Sequence, residues 1–290
     1  MKKVIIIGSG PAGISAALYL QRSGKAEVCV ISSGIGALAK AEKIENYYGF
    51  AQPVSGRELY ENGVAGAERL GVSFISEEVV SLSYNASMQP VVSTAKNDYT
   101  ADAVLLATGV SRKTLSVSGL KEHEGKGVSY CAVCDAFFFR NKDVCVIGSG
   151  EYAVHEALVL KATSRSVTIL TNGQPLTADV PEGIAVIDKK ITAVDGEPTV
   201  DRIIFENGET LPAKGVFVAL GTAGSTDLAR KVGAETENNH IKVNENMETS
   251  LPSLYAAGDC IGGTLQIYKA VSDGAAAAMT ILKHLSGNSR

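Results

Sequence analysis

Residues 4–20 read VIIIGSGPAGISAALYL, and this stretch decides the fold. The four apolar residues at its start predict a buried β-strand, which the glycine-rich turn from Gly8 to Gly13 brings to an end. Apolar residues from Ile14 onward recur with the spacing of a helix, and an apolar run from Val28 to Ile31 predicts a second strand. The stretch therefore predicts a β-α-β unit of the kind that binds dinucleotides.

Each glycine of this first turn has a separate physical role. Gly8 permits the tight turn, Gly10 lets backbone amides approach a pyrophosphate, and Gly13 lets the helix pack against the strand. An acidic residue that binds the ribose of NAD is expected after the second strand, but Ser32 and Ser33 stand there. The sequence therefore disfavours NAD at this first site.

The same order of elements returns later in the chain, where Gly148 lies 140 residues after Gly8. An apolar run from Val144 to Ile147 precedes a turn from Gly148 to Ala153, and a helical pattern and an apolar run from Val167 to Leu170 follow. Solenoid repeats recur about every 20–50 residues. The much longer spacing indicates two nucleotide-binding-type domains.

Shorter patterns complete the organisation of the chain. Apolar runs from Ala103 to Ala107 and from Val216 to Leu220 each lead into a glycine and predict strands. The polar stretch from Ser111 to Ser118 predicts a hinge, and the alanine-rich segment from Ala270 to Leu285 predicts a closing helix. The elements thus belong to the α/β class.

The second glycine turn differs from the first in charge. Glu151 stands where a helix N-terminus would attract phosphate, and the bulky Tyr152 follows it. After the next strand comes Thr171-Asn172-Gly173, which offers neither an acid for NAD nor an arginine for NADP. These features favour a structural remnant, with a working nicotinamide site as the alternative.

Between the two glycine turns stands the motif Cys131-Ala132-Val133-Cys134-Asp135. Two thiols at this spacing can close a small disulfide ring, and a position at a helix start lowers the pKa of a thiol. Asp135 can supply or take the proton that thiol–disulfide exchange requires. Zinc or an iron–sulfur cluster is the rival interpretation, but no second motif of this kind supports it. The remaining cysteines are expected in or near the core: Cys29, Cys145 and Cys260.

Composition bounds the remaining function classes. The 290 residues suffice for about two domains, and 27 basic against 31 acidic residues give a net charge of −4, which argues against nucleic-acid binding. Five cysteines exclude a dense disulfide framework and indicate a reducing compartment. The early glycine turn argues against a signal peptide, and no apolar run is long enough to span a membrane. We therefore expect a cytoplasmic protein.

Five motifs together resemble the low-molecular-weight thioredoxin reductases in sequence and order. They are Gly8-Ser9-Gly10-Pro11-Ala12-Gly13, Glu45-Asn46-Tyr47, Ala107-Thr108-Gly109, Cys131-Ala132-Val133-Cys134-Asp135 and Ala256-Ala257-Gly258-Asp259. The resemblance implies two Rossmann-like FAD/NAD(P)-binding domains, the second inserted in the first. It places an FAD-binding domain at residues 1–112 and 222–290, and a redox-dithiol domain with a degenerate NADPH-type fold at residues 113–221.

The resemblance also implies roles for individual residues. FAD contacts are expected at Gly8, Ser9, Gly10, Pro11, Ala12, Gly13, Ser32, Asn46, Val79, Ala107, Thr108, Gly109, Gly258, Asp259, Gln266 and Ile267. Of these, the first six would hold the pyrophosphate, Asp259 the ribityl chain, and Gln266 and Ile267 the flavin ring. Cys134 would face the flavin, Cys131 would attack the disulfide of thioredoxin, and Asp135 would donate the proton. A homodimer is implied in the same way.

One departure from that family concerns the electron donor. Its members carry a basic run with paired arginines where Thr171-Asn172-Gly173 stands here, and in this respect the chain resembles the ferredoxin-dependent flavin thioredoxin reductases. The resemblance implies that reduced ferredoxin passes single electrons to FAD, which reduces the dithiol and then thioredoxin. The dithiol cannot touch flavin and thioredoxin together, so a domain rotation about the linkers, near Arg112-Lys113, is expected.

Ferredoxins are typically acidic, so docking calls for basic residues. The candidates are Arg140, Lys142, Lys161 and Arg165. Three other functions stay open: an NADPH-dependent thioredoxin reductase, a dithiol oxidase that passes electrons to oxygen, and a flavin-bearing redox sensor that is not an enzyme.

Overall fold

The chain divides into two compact units in the computed structural model, which describes residues 1–110 and 115–287. The larger unit comprises Met1–Ser111 and Gly224–Arg290, and the inserted unit comprises Arg112–Ala223. The first part of the predicted hinge, including Arg112-Lys113, lies outside the described residues.

The strands are, in chain order, β1 (Lys2–Ile7), β2 (Ala26–Ile31), β3 (Ser73–Ile75), β4 (Val79–Tyr84), β5 (Pro90–Thr94), β6 (Asp98–Thr100), β7 (Ala103–Leu106), β8 (Val128–Ser129), β9 (Asp143–Ile147), β10 (Ser166–Leu170), β11 (Ala185–Ile187), β12 (Ile191–Asp195), β13 (Arg202–Phe205), β14 (Thr210–Pro212), β15 (Gly215–Val218), β16 (Thr236–Glu237), β17 (His240–Ile241) and β18 (Leu254–Ala256). The helices are α1 (Pro11–Arg22), α2 (Gly56–Arg69), α3 (Ala132–Asp135), α4 (Glu151–Lys161), α5 (Ser225–Lys231) and α6 (Ile267–Leu285). In the described residues no helix is long and apolar enough to cross a membrane.

The larger unit is built on a parallel sheet with the strand order β18-β7-β1-β2-β3. Its central strand is buried from Val4 to Ile7 without alternation, as expected for a strand covered on both faces. Helices α1 and α6 approach each other so closely at Gly274 that a Cβ there would lie 2.1 Å from the Ala12 carbonyl oxygen. The absence of a side chain on Gly274 permits this contact. Small alanines on both helices extend the core there, among them Ala16 and Ala277.

The inserted unit repeats this design. Its parallel sheet has the order β11-β10-β9-β15-β8, and β9, α4 and β10 form the second copy of the β-α-β unit. A small antiparallel sheet, β12-β13-β14, packs on the same core through Val194 and Ile203. The predicted α/β class with two Rossmann-like units is thus confirmed.

Two elements, β15 and α6, have boundaries that differ from those predicted from the sequence. The strand predicted to end at Leu220 ends at Val218, because the chain then turns toward Gly221 with its positive φ. The closing helix begins at Ile267 rather than Ala270, since Gln266 adopts the extended backbone of an N-cap. The helix therefore starts one turn closer to the loop of Gly258 and Asp259.

Parallel strands bring their carboxyl ends to one edge of a sheet, where ligands bind. In the larger unit this edge collects the loops after β1, β2, β7 and β18. In the inserted unit it collects the loops after β8, β9, β10 and β15. The first edge carries the predicted dinucleotide loop, and the second carries both the dithiol and the degenerate glycine turn.

His123 joins two segments of the inserted unit. Its Nδ1 lies 2.6 Å from the Gly119 carbonyl oxygen and its Nε2 lies 3.0 Å from the Gly196 carbonyl oxygen. A neutral imidazole has one N–H and can donate to only one of these acceptors, whereas the imidazolium donates to both. The carbonyl of Gly196, followed by that of Gly119, therefore raises the pKa of His123 above its ordinary value.

The stability of the inserted unit is expected to depend on pH through His123. The folded-state pKa lies above the ordinary 6.5, so the stabilisation is complete below that value and is lost as the pH rises through the folded pKa. The urea midpoint of His123→Gln should thus fall further below that of the wild type at about pH 5.5 than at about pH 8.5. Equal differences at both pH values would contradict the simultaneous donation of hydrogen bonds from the His123 imidazolium to Gly119 and Gly196.

Candidate active site

The backbone of the first glycine turn forms a cradle that can hold a phosphate group. Gly8 has φ +108°, and a Cβ there would lie 2.5 Å from the Ala107 carbonyl oxygen. A Cβ on Gly13 would lie 2.0 Å from the Gly8 carbonyl oxygen, so the helix can approach the strand only without a side chain. Gly10, the N-cap of α1, has open space instead, with no described heavy atom within 4 Å of a Cβ built on it. Two glycines thus serve the fold, and the third keeps the entrance of the cradle clear.

Hydroxyl groups tie this turn to the loop after β2. Ser32 Oγ donates to Ser9 Oγ at 2.9 Å, and Ser9 Oγ lies 3.2 Å from the hydroxyl oxygen of Tyr60 on α2. Neutral hydroxyls at this position can accept or donate toward a ribose without adding charge. Sequence reasoning missed Tyr60, which lies 51 residues from Ser9 in the chain.

The loop after β7 is held by a residue of the larger unit that follows the inserted unit in the chain. Thr108 N donates to Ser225 Oγ at 3.1 Å, and Ser225 N donates to Thr108 Oγ1 at 2.7 Å. These reciprocal bonds join residues that are 117 positions apart. They fix the segment Ala107–Gly109 against the start of α5. No local pattern around Ser225 announces this contact, and sequence reasoning missed it.

The loop after β18 is held by α6. Gly258, with φ +83°, donates its N–H to Asp273 Oδ2 at 3.2 Å, and Lys269 Nζ binds the same oxygen at 2.6 Å. Asp259 then starts a short 3-10 turn at the sheet edge. The bond from Gly258 therefore fixes the backbone from which the Asp259 side chain extends.

Four other predicted cofactor residues lie in the larger unit. Asn46 Nδ2 lies 3.5 Å from Gln266 Oε1, which brings these two predicted residues together, and Ile267 begins α6 beside them. Val79 is a buried residue at the start of β4, in the antiparallel sheet β4-β5-β6 rather than the parallel one. The sheet edge offers unblocked amides, hydroxyls and one carboxylate, a donor set that fits a dinucleotide with a pyrophosphate.

The two motif cysteines form a disulfide in the inserted unit. Cys131 follows β8, caps the N-terminus of α3 and accepts from Cys134 N at 3.2 Å through its sulfur. Cys131 is 8% exposed, whereas Cys134 lies at the surface. Large apolar side chains surround it in sequence and are exposed, among them Phe137 and Phe138. Cys134 is therefore the more accessible sulfur of the pair in the oxidised protein.

Two carboxylates are linked to the backbone that carries the disulfide, one directly and one through Ser129. Ser129 Oγ accepts from Cys131 N at 3.1 Å and donates to Asp135 Oδ2 at 2.7 Å. Glu156 Oε2 accepts from Ala132 N at 2.8 Å. Asp135 was predicted at this site, but sequence reasoning missed Ser129 and Glu156. The one available signal for Glu156 was an acidic residue inside the apolar pattern of α4.

The other three cysteines lie away from solvent to different degrees. Cys145 and Cys260 are buried, and burial raises the pKa of each thiol to about 12. Cys29 is half-buried, and burial raises its pKa as well. In the described residues no cluster of three or more His, Cys, Asp or Glu side chains could hold a metal ion. Cys131 and Cys134 are therefore the cysteines best placed for thiol–disulfide exchange.

The second glycine turn is covered by its own chain. Thr177 donates its backbone N–H to the Ser149 carbonyl oxygen at 2.8 Å and its hydroxyl to the same oxygen at 3.1 Å. A Cβ on Gly150 would lie 3.6 Å from Thr177 Oγ1. Glu151 begins α4, and Tyr152 is buried. Thr177 thus lies beside this turn, at the position where the first turn has open space.

The segment after β10 is likewise bonded within the inserted unit. Thr171 Oγ1 donates to Asp188 Oδ1 at 2.6 Å, and Asn172 Oδ1 accepts from Ile191 N at 2.7 Å. Asn172 has φ +55° in the turn that leads to Gly173. These residues present no cation toward the second glycine turn.

Comparisons with known proteins agree with this geometry. A family model described as Pyridine nucleotide-disulphide oxidoreductase matches residues 2–274. The thioredoxin reductase of Aquifex aeolicus is 34% identical over 305 residues, which cover 99% of this chain and 94% of the relative. The chain belongs to the thioredoxin reductase family. Like other members of this family, it is a flavoprotein oxidoreductase with FAD as its cofactor.

Two solved thioredoxin reductase structures cover nearly the whole chain. The atypical thioredoxin reductase TRi from Desulfovibrio vulgaris Hildenborough is 37% identical, with a TM-score of 0.93 and 99% of each chain covered. A ferredoxin-flavin thioredoxin reductase from Clostridium acetobutylicum is 30% identical, with a TM-score of 0.73, covering 99% of this chain and 98% of that one. The first shows the stronger likeness in both sequence and fold.

The thiols of this thioredoxin reductase are expected to react in separate classes. In the native oxidised protein DTNB should react slowly with Cys29 and should reach Cys145 and Cys260 only after unfolding, because burial raises their pKa values. Reduction with dithiothreitol should add Cys131 and Cys134 to the reactive thiols.

The Cys134→Ser variant serves as the control, since Cys131 should then react without prior reduction. Fast labelling of Cys145 or Cys260 in the folded protein, mapped by peptide mass spectrometry, would contradict the assignment.

Proposed function

We propose that this thioredoxin reductase takes electrons from reduced ferredoxin rather than from NADPH, and delivers them to thioredoxin through Cys131 and Cys134. The observation that carries the choice of donor is the covered second glycine turn. Thr177 donates two hydrogen bonds to the Ser149 carbonyl oxygen and lies beside Gly150, and Glu151 adds a negative charge at the helix start. The likeness to a ferredoxin-flavin thioredoxin reductase supports this choice of donor.

The cofactor site proposed here is the sheet edge of the larger unit. The turn Gly8–Gly13 would hold the pyrophosphate of FAD through its backbone amides other than those of Gly8, which donates to the Ile31 carbonyl, and Pro11, which has no N–H. Asp259 would hold the ribityl chain of FAD, and Asn46, Gln266 and Ile267 its ring end. We assign FAD binding to residues 1–112 and 222–290, and the dithiol to residues 113–221. Bound FAD supplies the conversion of single electrons into a pair.

The dithiol residues perform the transfer to thioredoxin. A Cys131 thiolate attacks one sulfur of the thioredoxin disulfide, which forms a mixed disulfide and leaves the other thioredoxin sulfur as a thiolate that takes up a proton. Cys134 then attacks Cys131, restores the Cys131–Cys134 disulfide and releases reduced thioredoxin. Asp135 supplies the proton to the leaving sulfur, with Ser129 orienting its carboxylate.

The structure reduces the number of basic residues that are candidates for docking ferredoxin. Arg165 is paired with Asp143, and Lys161 is bonded to the Glu182 carbonyl oxygen. Arg140 and Lys142 lie over the rings of Phe137 and Phe139, at 5.9 and 5.6 Å from the ring centroids. We propose these two cations as the docking charges. A homodimer is proposed from the family alone.

The donor is tested by anaerobic mixing of the FAD-loaded protein. Reduced ferredoxin is expected to bleach the flavin band and to drive thioredoxin reduction, whereas NADPH is expected to leave the band unchanged on the same time scale. Rapid bleaching by NADPH would overturn the donor assignment, because the second glycine turn would then be open. The Cys131→Ser/Cys134→Ser variant should still accept electrons from ferredoxin but should reduce no thioredoxin.

A charge reversal separates docking from chemistry in the same assay. Lys142→Glu should lower the rate of ferredoxin-driven turnover, because it removes a long-range attraction between the lysine and an acidic ferredoxin. The rate should also become less sensitive to salt, since salt screens that attraction. Lys126→Glu, another exposed lysine of the inserted unit, is the matched control. Equal losses in both variants would place the docking charges elsewhere.

The role of Gly10 is tested by FAD affinity. Gly10→Val is expected to weaken FAD binding about tenfold or more, because a side chain would enter the open space that a pyrophosphate needs. The fold should survive, since Gly10 has an ordinary φ of −71°. Gly66→Ala on α2, where a Cβ has room, is the control and should retain full flavin content. Normal flavin content in Gly10→Val would contradict the cradle.

A further inference from the structure

Glu156 is a buried acid with no role in the transfer steps described above. Its side chain is 1% exposed, although it lies on α4 among residues that pack into the core of the inserted unit. Burial of a carboxylate is costly unless hydrogen bonds compensate it. The bond from Ala132 N, at 2.8 Å, brings this carboxylate to the peptide group that directly follows Cys131.

This bond changes the electrostatics expected at a helix start. A cysteine that caps a helix is normally surrounded by unpaired amides, which stabilise its thiolate. Here the first amide of α3 is already bonded to Glu156, so the favourable contact to the Cys131 sulfur comes from the Cys134 amide. A negative carboxylate beside the same peptide opposes a second negative charge on Cys131.

We propose that Glu156 is a positioning residue for the dithiol: it anchors the peptide after Cys131 and keeps Cys131 protonated in the reduced protein until thioredoxin binds. The proposal rests on the proposed function of Cys131 and Cys134 as the working dithiol. The consequence is a Cys131 thiol that reacts more slowly with alkylating agents than it would without the Glu156 charge.

Other groups near Cys131 act on it from two elements. On its own helix Cys134 is the partner sulfur, and Asp135 reaches the Cys131 backbone through Ser129. From α4 comes Glu156 together with His155, whose Nδ1 lies 3.3 Å from Glu156 Oε1. His155 is partly exposed, and a protonated ring there would offset the carboxylate. The variants below therefore change Glu156 and leave His155 in place.

The test measures alkylation of Cys131 by iodoacetamide against pH in a Cys134→Ser background, with the Cys131 peptide followed by mass spectrometry. This readout needs neither FAD, ferredoxin nor thioredoxin. Glu156→Gln retains an acceptor for Ala132 N but removes the charge. The pH of half-maximal alkylation is expected to fall by about one unit, which increases the rate at neutral pH several-fold.

Two further variants separate charge from structure. Glu156→Asp keeps the charge and should remain close to the unsubstituted background, whereas Glu206→Gln removes an exposed charge of the same unit and should change nothing. An unchanged half-maximal pH in Glu156→Gln, or an equal shift in Glu206→Gln, would overturn the proposal.

A measurement on the background protein alone keeps the proposal testable if the Glu156 variants fail to fold. Its half-maximal pH should lie at or above about 8, near an ordinary thiol, and a value below about 7 would overturn the proposal. Failure of ferredoxin-driven thioredoxin reduction, by contrast, would count against the proposed function and leave this result unaffected.

Discussion

The whole structure depends on how closely a helix can approach the strand that precedes it. In each unit a glycine allows a contact that any Cβ would prevent: a Cβ on Gly13 would lie 2.0 Å from the Gly8 oxygen, and one on Gly148 would lie 2.7 Å from the Ala153 Cβ on α4. The close approach directs the N-terminus of the helix at the carboxyl edge of the sheet. Both candidate sites are built on that edge.

The same scaffold supports different chemistry in the two units because small local changes decide what can bind. The turn of the larger unit is open at Gly10, and hydroxyls of Ser9 and Ser32 line it. The turn of the inserted unit is covered by Thr177 and begins its helix with an acid. The neighbouring loop of the inserted unit carries the disulfide.

Much of this arrangement could be predicted from the sequence, because its signals are local. The glycine turns, the apolar runs that form the strands and the helix-capping disulfide each depend on residues within a few positions of one another. The partners that hold these motifs lie far away in the chain: Ser225 binds Thr108, and Glu156 binds the amide after Cys131. Such contacts are created by packing, and no periodicity of a single sequence records them.

The reciprocal bonds between Thr108 and Ser225 bear on the modular history of the protein. They join the point where the chain leaves the larger unit to the point where it returns, within one hydrogen-bonded pair. Insertion of a domain is tolerated where the two ends of the insert lie side by side. The larger unit therefore closes its own sheet irrespective of what is spliced between these two residues.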